Sequence, residues 1–361
     1  MDKLKTAEQE NFISPDFDAA GFAGAMTGWY RANGRDLPWR RTQNPYYIWI
    51  SEIMLQQTQV DTVKPYYLRF IQRFPTVEAL ADAPMDDVFK LWEGLGYYRR
   101  ASNLKEAAVI LKNSWNGHFP DTYEEIIKLK GIGSYTASAI ASIAFGLPRG
   151  VIDGNTLRII SRVFNRQDNI ARDSTKKLYQ EVMDALIAHT SPSDFNQGMM
   201  DLGATVCTPK KPQCEQCPVA AWCMAKSEGT VNLLPVNIKN KNKTDIYYIT
   251  AILRHKDKYF MIRNKKDELL SDLYGLVQYE VESPLSFEEQ FYDQFHTQVR
   301  LLEYEKEFRH VFTHRVWHMS VYTGEIQTPQ DETLNSFMYT WDELMALPIP
   351  TAHKKILLNQ K

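Results

Sequence analysis

All four cysteines of this 361-residue chain fall in one window, CTPKKPQCEQCPVAAWC, at Cys207, Cys214, Cys217 and Cys223. A disulfide framework spreads its cysteines along the chain, and a reducing compartment would not keep it oxidised, so the window reads as a metal site. Clustered thiolates bind either zinc or an iron–sulfur cluster. The paired C-x2-C units of a zinc ribbon are missing from the C-x6-C-x2-C-x5-C spacing, which favours a 4Fe–4S cluster.

A second constraint lies upstream, in LKGIGSYTASAIASIAFGLPRGVIDGN, residues 129–155. Gly131 and Gly133 separate two helical patterns. The first carries Asp121 and Glu124 at capping-box spacing, and the second is stopped at Gly146. This is a helix-hairpin-helix over about 121–146. Its glycines admit a close ligand, and the amides that open its second helix suit a phosphate, so it can hold a DNA backbone without reading sequence. Asp153, in a DGN turn just beyond, puts a carboxylate near that backbone. An ordinary αα-hairpin and a common Asp-Gly turn are the competing reading.

The rest of the first 225 residues reads as helix. A tail covers 1–15, a first helix 16–33, and the loop RDLPWRRTQNP follows. From Tyr46 the segment YIWISEIMLQQTQVDTV sets Glu52 among Ile48, Trp49, Ile50, Ile53, Met54 and Leu55. A carboxyl so placed is desolvated, its pKa rises, and it becomes a general-acid candidate, unless it is an ordinary exposed glutamate on an amphipathic helix. Helices are expected at 59–73, 76–82, 85–93 and 99–114, and throughout 155–225. Tyr97 and Tyr98 sit in a GLGYY turn beside Arg99 and Arg100, where aromatic rings can stack on bases or simply pack.

Net charge decides little, because −2 overall splits into 26 basic and 26 acidic residues over 1–230 and 16 and 18 over 231–361. A nucleic-acid surface must then be a local patch, with Arg35, Arg40, Arg41, Arg99, Arg100, Arg158, Arg162 and Arg166 as candidates. No run approaches the eighteen or so apolar residues of a membrane span, and MDKLKTAEQENF has no apolar core, so the chain reads as cytoplasmic, with no membrane partner.

Residues 226–244 read as a connector, and 245–361 as a mixed α/β domain. Strands are expected at 246–254, 258–263, 276–282, 299–305, 308–312 and 315–326, and helices near 286–297 and 341–347. His310, His314 and His318 recur every four residues and share one face in either geometry, as structural or DNA-facing groups in preference to metal ligands.

The hairpin, the following aspartate and the cysteine spacing together resemble the endonuclease III superfamily of base-excision DNA glycosylases. Within it, RDLPWR, WISEIMLQQTQV, WEGLGYYRRA and LKGIGSYTA are similar to the adenine DNA glycosylase family, over residues 20–225. The resemblance implies a multidomain chain: an all-α glycosylase domain (16–225) with a 4Fe–4S cluster in a structural, DNA-positioning role, then a Nudix-like α/β domain. It implies that Glu52 protonates adenine N7 and that Asp153 stabilises an oxocarbenium-like sugar, by its charge or by transient covalent attack. Tyr135 stands where lyase-competent relatives carry lysine, so a monofunctional enzyme is expected, leaving an abasic site in an uncut strand. Gln57 and Tyr97 match intercalating positions, and Arg35, Trp39 and Arg40 match residues near the adenine pocket, with Gln197 a contact to the base.

The C-terminal domain resembles the one that recognises 8-oxoguanine opposite the adenine. SFEEQFYDQFHTQ lacks the glutamate-loaded helix of a magnesium-dependent Nudix hydrolase, so no pyrophosphatase activity is expected. Where the family shows Phe-Ser-His, this chain has Phe312, Thr313 and His314. The expected partner is double-stranded DNA with A:8-oxoguanine or A:G mispairs, met by a monomer. The competing functions are an endonuclease III-like glycosylase with lyase activity, which Tyr135 opposes, and a non-catalytic damage-binding module, which the pairing of Glu52 with Asp153 opposes.

Overall fold

The computed structural model describes residues 13–238, 243–265, 270–312, 314–327 and 332–359. Two compact units emerge. One runs through the chain up to Glu78 and from Glu106 into the connector; the other joins Ala79–Lys105 to the chain beyond the connector. No helix among the described residues is long and apolar enough to cross a membrane.

The first half is helical. In chain order come α1 (Ala19–Asn33), α2 (Pro45–Leu55), α3 (Val60–Arg73), α4 (Val77–Asp82), α5 (Met85–Trp92), α6 (Arg99–Trp115) and α7 (Tyr123–Ile126). After them come α8 (Ser134–Phe145), α9 (Gly154–Val163), α10 (Asp173–Ile187), α11 (Pro192–Thr205) and α12 (Met224–Ser227). Apolar faces of α1, α9, α10 and α11 close over one core containing Phe22, Ile160, Tyr179, Met183, Phe195 and Leu202.

Four expectations for this half are corrected. The long helix expected from Tyr46 stops at Leu55, because Gln56 to Gln59 offer no apolar residue to continue the stripe and Gln57 turns left-handed at φ 58°. The capping box expected of Asp121 and Glu124 does not form. Thr122 takes the cap position of α7 and its hydroxyl donates to Glu125 Oε2 at 2.8 Å. Asp153 lies not in an isolated turn but at the N-cap of α9, in a capping box with Thr156. Residues 155–225 are not helical throughout, since the cysteine window carries only two short 3-10 turns and has prolines at 209, 212 and 218.

The second unit contains β1 (Thr244–His255), β2 (Lys258–Phe260), β3 (Ile262–Arg263), β4 (Tyr274–Gly275), β5 (Val277–Tyr279), α13 (Pro284–Phe295), β6 (Val299–Val311), β7 (Arg315–Ile326), β8 (Met338–Tyr339), α14 (Trp341–Ala346) and α15 (Thr351–Leu358). The main sheet runs β6-β7-β1-β2-β8, with β5 also on β1. β1 and β7 are parallel from Thr244↔Arg315 to Arg254↔Glu325, and β1–β2, β1–β5, β2–β8 and β6–β7 pair antiparallel. Phe260, Phe287 and Phe291 fill one face, and Trp317, Met319, Leu344 and Ile356 the other.

The strands expected at 299–305 and 308–312 are one strand with two irregularities, at Leu301/Glu303 and Tyr304/Lys306, which absorb the polar interruption without ending the ladder. His310, His314 and His318 do not share a face. A turn separates His310 on β6 from His318 on β7, and His318 pairs with Arg309. His318 is held by Asp245 at 2.8 Å and Glu307 at 3.1 Å.

The last helix, α15, buries His353, whose Nδ1 accepts from the Leu276 amide at 3.1 Å while Nε2 faces Gln278 Oε1 at 3.0 Å. Burial, with a smaller push from His310, lowers its pKa from 6.5 to about 4. The unfolded chain therefore binds a proton that the folded chain refuses as pH falls below 6.5, and stability is lost in that direction. Between pH 7 and pH 5 the parent should lose about 2 kcal/mol more than His353→Gln, as read by thermal unfolding of the full chain. Parallel pH dependences would remove this account.

Candidate active site

α2 is apolar almost all round, with Ile48, Trp49, Ile50, Ile53 and Met54 buried, and it carries Glu52 into the interior at 4% exposure. Burial raises the Glu52 carboxyl from 4.5 to about 7, against the opposing pull of a hydrogen bond from Tyr135 and the charge of Arg40. Glu52 Oε2 is buried and has no hydrogen-bond partner among the described residues. Tyr135, at the start of α8, is pushed well above its ordinary pKa by burial and by the charges of Glu52 and Asp153, so it remains a phenol donor.

Asp153 is fixed by its own helix. Oδ1 accepts from the amides of Asn155 at 2.9 Å and Thr156 at 2.7 Å, and Oδ2 accepts from the Asn155 side chain at 2.8 Å. Glu52, Tyr135 and Asp153, read separately from the sequence, thus act on one another electrostatically.

Sequence reasoning missed Asp201, the residue that organises the neighbouring arginines. Its carboxylate on α11 is fully buried and receives Arg40 Nη1 at 2.6 Å and Nη2 at 2.8 Å, with Arg35 Nε at 2.8 Å and the Arg35 amide at 2.9 Å. Burial drives this acid up, but the hydrogen bonds and charges of Arg40 and Arg35 outweigh it and hold Asp201 below the usual carboxylate range. Its one signal was its place four residues after Gln197, on the same face of α11. Gln197 is buried and donates to Ser193 Oγ at 2.9 Å, while Trp39 is buried edge-on to Tyr67.

Two of the arginines expected in a DNA patch are spent inside, and two others are paired with acids. Arg158 and Arg162 are 7% and 1% exposed. Arg158 ties Gly154, Asn155 and Gly203 to the Cys207 carbonyl, and Arg162 donates to Thr208, Pro209, Val231 and Leu234 carbonyls and to Cys207 Sγ at 3.2 Å. Arg41 pairs with Asp36, and Arg166 with Asp168. The apolar setting of α9 had no signature that distinguished these buried cations from solvated ones.

Other residues singled out from the sequence are exposed. Gln57 (φ 58°) and Tyr97 (φ 50°) are exposed and left-handed, Tyr97 in the second unit. Gly131 reverses the hairpin at φ 76°. Gly133 caps α8, and a Cβ there would meet nothing within 4 Å, so internal packing does not require glycine. Phe312 packs on Trp317 with centroids 4.7 Å apart, and His314 is exposed in the turn before β7. Thr313 lies outside the described residues.

The four cysteines line one small cavity with Arg162 and Lys226. Four thiols around one cavity are the donor set that a 4Fe–4S cluster takes. Lys210 and Lys211 of the same loop are exposed.

Comparison with known proteins agrees with this geometry. A model of the HhH-GPD superfamily base excision DNA repair protein matches residues 50–185, one of the iron-sulfur binding domain of endonuclease III matches 207–223, and a NUDIX domain model matches 248–359. Adenine DNA glycosylase of Buchnera aphidicola subsp. Baizongia pistaciae is 38% identical over 298 residues, covering 81% of this chain and 83% of that protein. The human adenine DNA glycosylase is 44% identical over 222 residues, covering 58% and 40%. A solved thermostable thymine-DNA glycosylase superposes with a TM-score of 0.53 at 31% identity, over 58% of this chain and 97% of its own. Likeness over most of both chains, with the helical, cysteine and C-terminal parts each matched in order, makes this chain a member of the adenine DNA glycosylase (MutY) family of base-excision repair, with a 4Fe–4S domain on Cys207, Cys214, Cys217 and Cys223 and a C-terminal NUDIX domain.

Proposed function

We propose that the chain excises adenine mispaired with 8-oxoguanine or guanine, with Glu52 as general acid and Asp153 as electrostatic partner of the sugar, and leaves the strand uncut. The observation that carries this reading is the Glu52 carboxyl, near-neutral in pKa through burial, with an unpaired oxygen and within electrostatic reach of Asp153.

A base within a duplex is out of reach, so the adenine is first extruded. Glu52 Oε2 gives its proton to N7. The C1′–N9 bond then breaks with both electrons going to the base, and the cationic sugar forms beside the Asp153 carboxylate. Water adds to C1′ and returns a proton to the Glu52 carboxylate, so the acid is restored and the products are adenine and an abasic sugar. Tyr135 orients Glu52 through its hydroxyl and, having no amine, forms no Schiff base. Gln57 and Tyr97 fill the gap left by the extruded base. The hairpin amides around Gly131 and Gly133 meet a phosphate, where the open Cβ direction of Gly133 leaves room. Arg35, Trp39, Arg40 and Gln197 border the adenine. The 4Fe–4S cluster, held by the four cysteines, supplies structural cross-linking of a loop whose Lys210 and Lys211 face the duplex. Phe312, Thr313 and His314 read the opposite base.

Single-turnover reaction of a labelled A:8-oxoguanine duplex, divided between alkali and no alkali, should give strand breaks only after alkali. Breaks without alkali would reveal an amine nucleophile elsewhere and end the monofunctional reading. Glu52→Gln and Asp153→Asn should each bind duplex and release base about a hundredfold or more slowly, the scale of a lost acid–base group. Near-parental turnover by either would remove its role.

The acid role also fixes a pH dependence. Glu52 is raised from 4.5 to about 7, so the folded chain keeps a proton that the unfolded chain loses as pH rises through 4.5, and stability falls by about 3 kcal/mol across that window. Base release should decline above about pH 7. Glu52→Gln keeps the shape without the ionisation and should melt above the parent at pH 8 but with it at pH 4. Equal melting at both pH values would mean that Glu52 is not held protonated.

A further inference from the structure

Ala79–Lys105 belongs to the same compact unit as the NUDIX domain, although the helical domain encloses it in sequence. Its attachment is polar and specific. Lys90, on α5, donates to the carbonyls of Met345 at 2.6 Å and Leu347 at 3.2 Å, at the end of α14, and pairs with Glu93 at 3.0 Å. An ammonium has three donors, and here all three have acceptors. The other Glu93 oxygen takes Lys354 of α15 at 2.6 Å, and Asp86 of α5 takes Arg263 of β3 at 3.1 Å. Three elements of the NUDIX domain therefore hold one short helix.

That helix is stiffly joined to the turn beyond it. Trp92 Nε1 donates to the Gly96 carbonyl at 3.1 Å. Arg100 Nη2 donates to the same carbonyl at 3.1 Å and lies over both the Trp92 ring at 5.2 Å and the Tyr97 ring at 5.5 Å. Tyr97, four residues past Glu93, is 49% exposed with φ 50°. A displacement of α5 must move Tyr97, because the backbone between them is bonded to both ends.

We infer that Lys90 and Glu93 are positioning residues that latch the Tyr97 turn to the NUDIX domain, so that engagement of the base opposite the target sets the depth of the Tyr97 wedge. The inference rests on the reading of Tyr97 as the wedge. Coupling free energies between two sites are typically equivalent to about 5- to 150-fold.

The test uses the full chain in single-turnover base release from duplexes with adenine opposite 8-oxoguanine or guanine. Lys90→Met keeps the apolar stem and removes the donors. It should lower the 8-oxoguanine-over-guanine rate ratio by about tenfold, through the 8-oxoguanine duplex alone, and Lys90→Arg should restore it because a guanidinium reaches the same carbonyls. An unchanged ratio in Lys90→Met, or an equal loss on both duplexes that marks general destabilisation, would overturn the latch. Tyr97→Ala run beside it separates the two ideas. Slow base release there with an unaltered Lys90→Met ratio refutes the latch alone, whereas parental rates in Tyr97→Ala refute the wedge and the latch with it.

Discussion

Everything at the site depends on keeping one carboxyl dry while a guanidinium lies close to it. Arg40 is near enough to pull Glu52 toward the ionised form, and a buried Arg–Glu pair would leave a carboxylate with no proton to give. Asp201 prevents that outcome. It takes both terminal nitrogens of Arg40 in a bidentate pair, and Arg35 adds two more donors, so the cation is matched by a carboxylate other than Glu52. Burial then wins at Glu52. The apolar residues of α2 matter for their dielectric as much as for packing, since one more polar neighbour would reduce the desolvation that makes the acid usable near neutral pH.

The cysteine loop and the second carboxylate are joined just as directly. Asp153 caps α9 and holds Asn155. The Asn155 side chain accepts from Arg158, which also bonds the carbonyls of Gly203 and Cys207. One helical turn later Arg162 grips the same loop from inside. Two buried cations with no carboxylate among these contacts are tolerable only because many carbonyl dipoles converge on each. They also sit beside sulfurs that bear negative charge once they ligate iron, so loop, cluster and Asp153 cap form one electrostatic assembly.

How much of this was legible in the sequence follows from what each signal encodes. The cysteine spacing, the two glycines and the apolar frame of Glu52 are local, and local patterns survive folding: α8 stops at Gly146, and Glu52 is buried. Partnerships between distant residues left no such trace. Asp201 reads as one more acid on a helix until Arg35 and Arg40 arrive from 166 and 161 positions away. Arg158 and Arg162 looked like surface charge because periodicity reports hydrophobic faces and is silent about a buried guanidinium. Asp153 was placed beside the chemistry but misread as a turn, although Thr156 three residues on was the missing half of a capping box. The assignment of Ala79–Lys105 to the NUDIX unit rests on contacts such as Lys90 to the Met345 carbonyl, across 255 positions, which no window of sequence contains.

Two of the residues proposed to enter the duplex hold a strained backbone, as do Asn116, Asn165, Lys256, Leu270, Asp272 and His296. Gln57 and Tyr97 both hold a left-handed backbone at φ 58° and 50°, which costs an L-residue about 1 kcal/mol relative to glycine. Glycine precedes Tyr97 at position 96, itself left-handed at φ 72°, so the turn already uses the cheaper residue where no side chain is wanted. Neither glutamine nor tyrosine is among the types that tolerate this conformation readily. Both side chains are exposed. Within the chain Arg100 lies over the Tyr97 ring at 5.5 Å, and on the proposed reading a gap in a base stack, which takes up an aromatic ring or an amide, is a second place where such strain is offset.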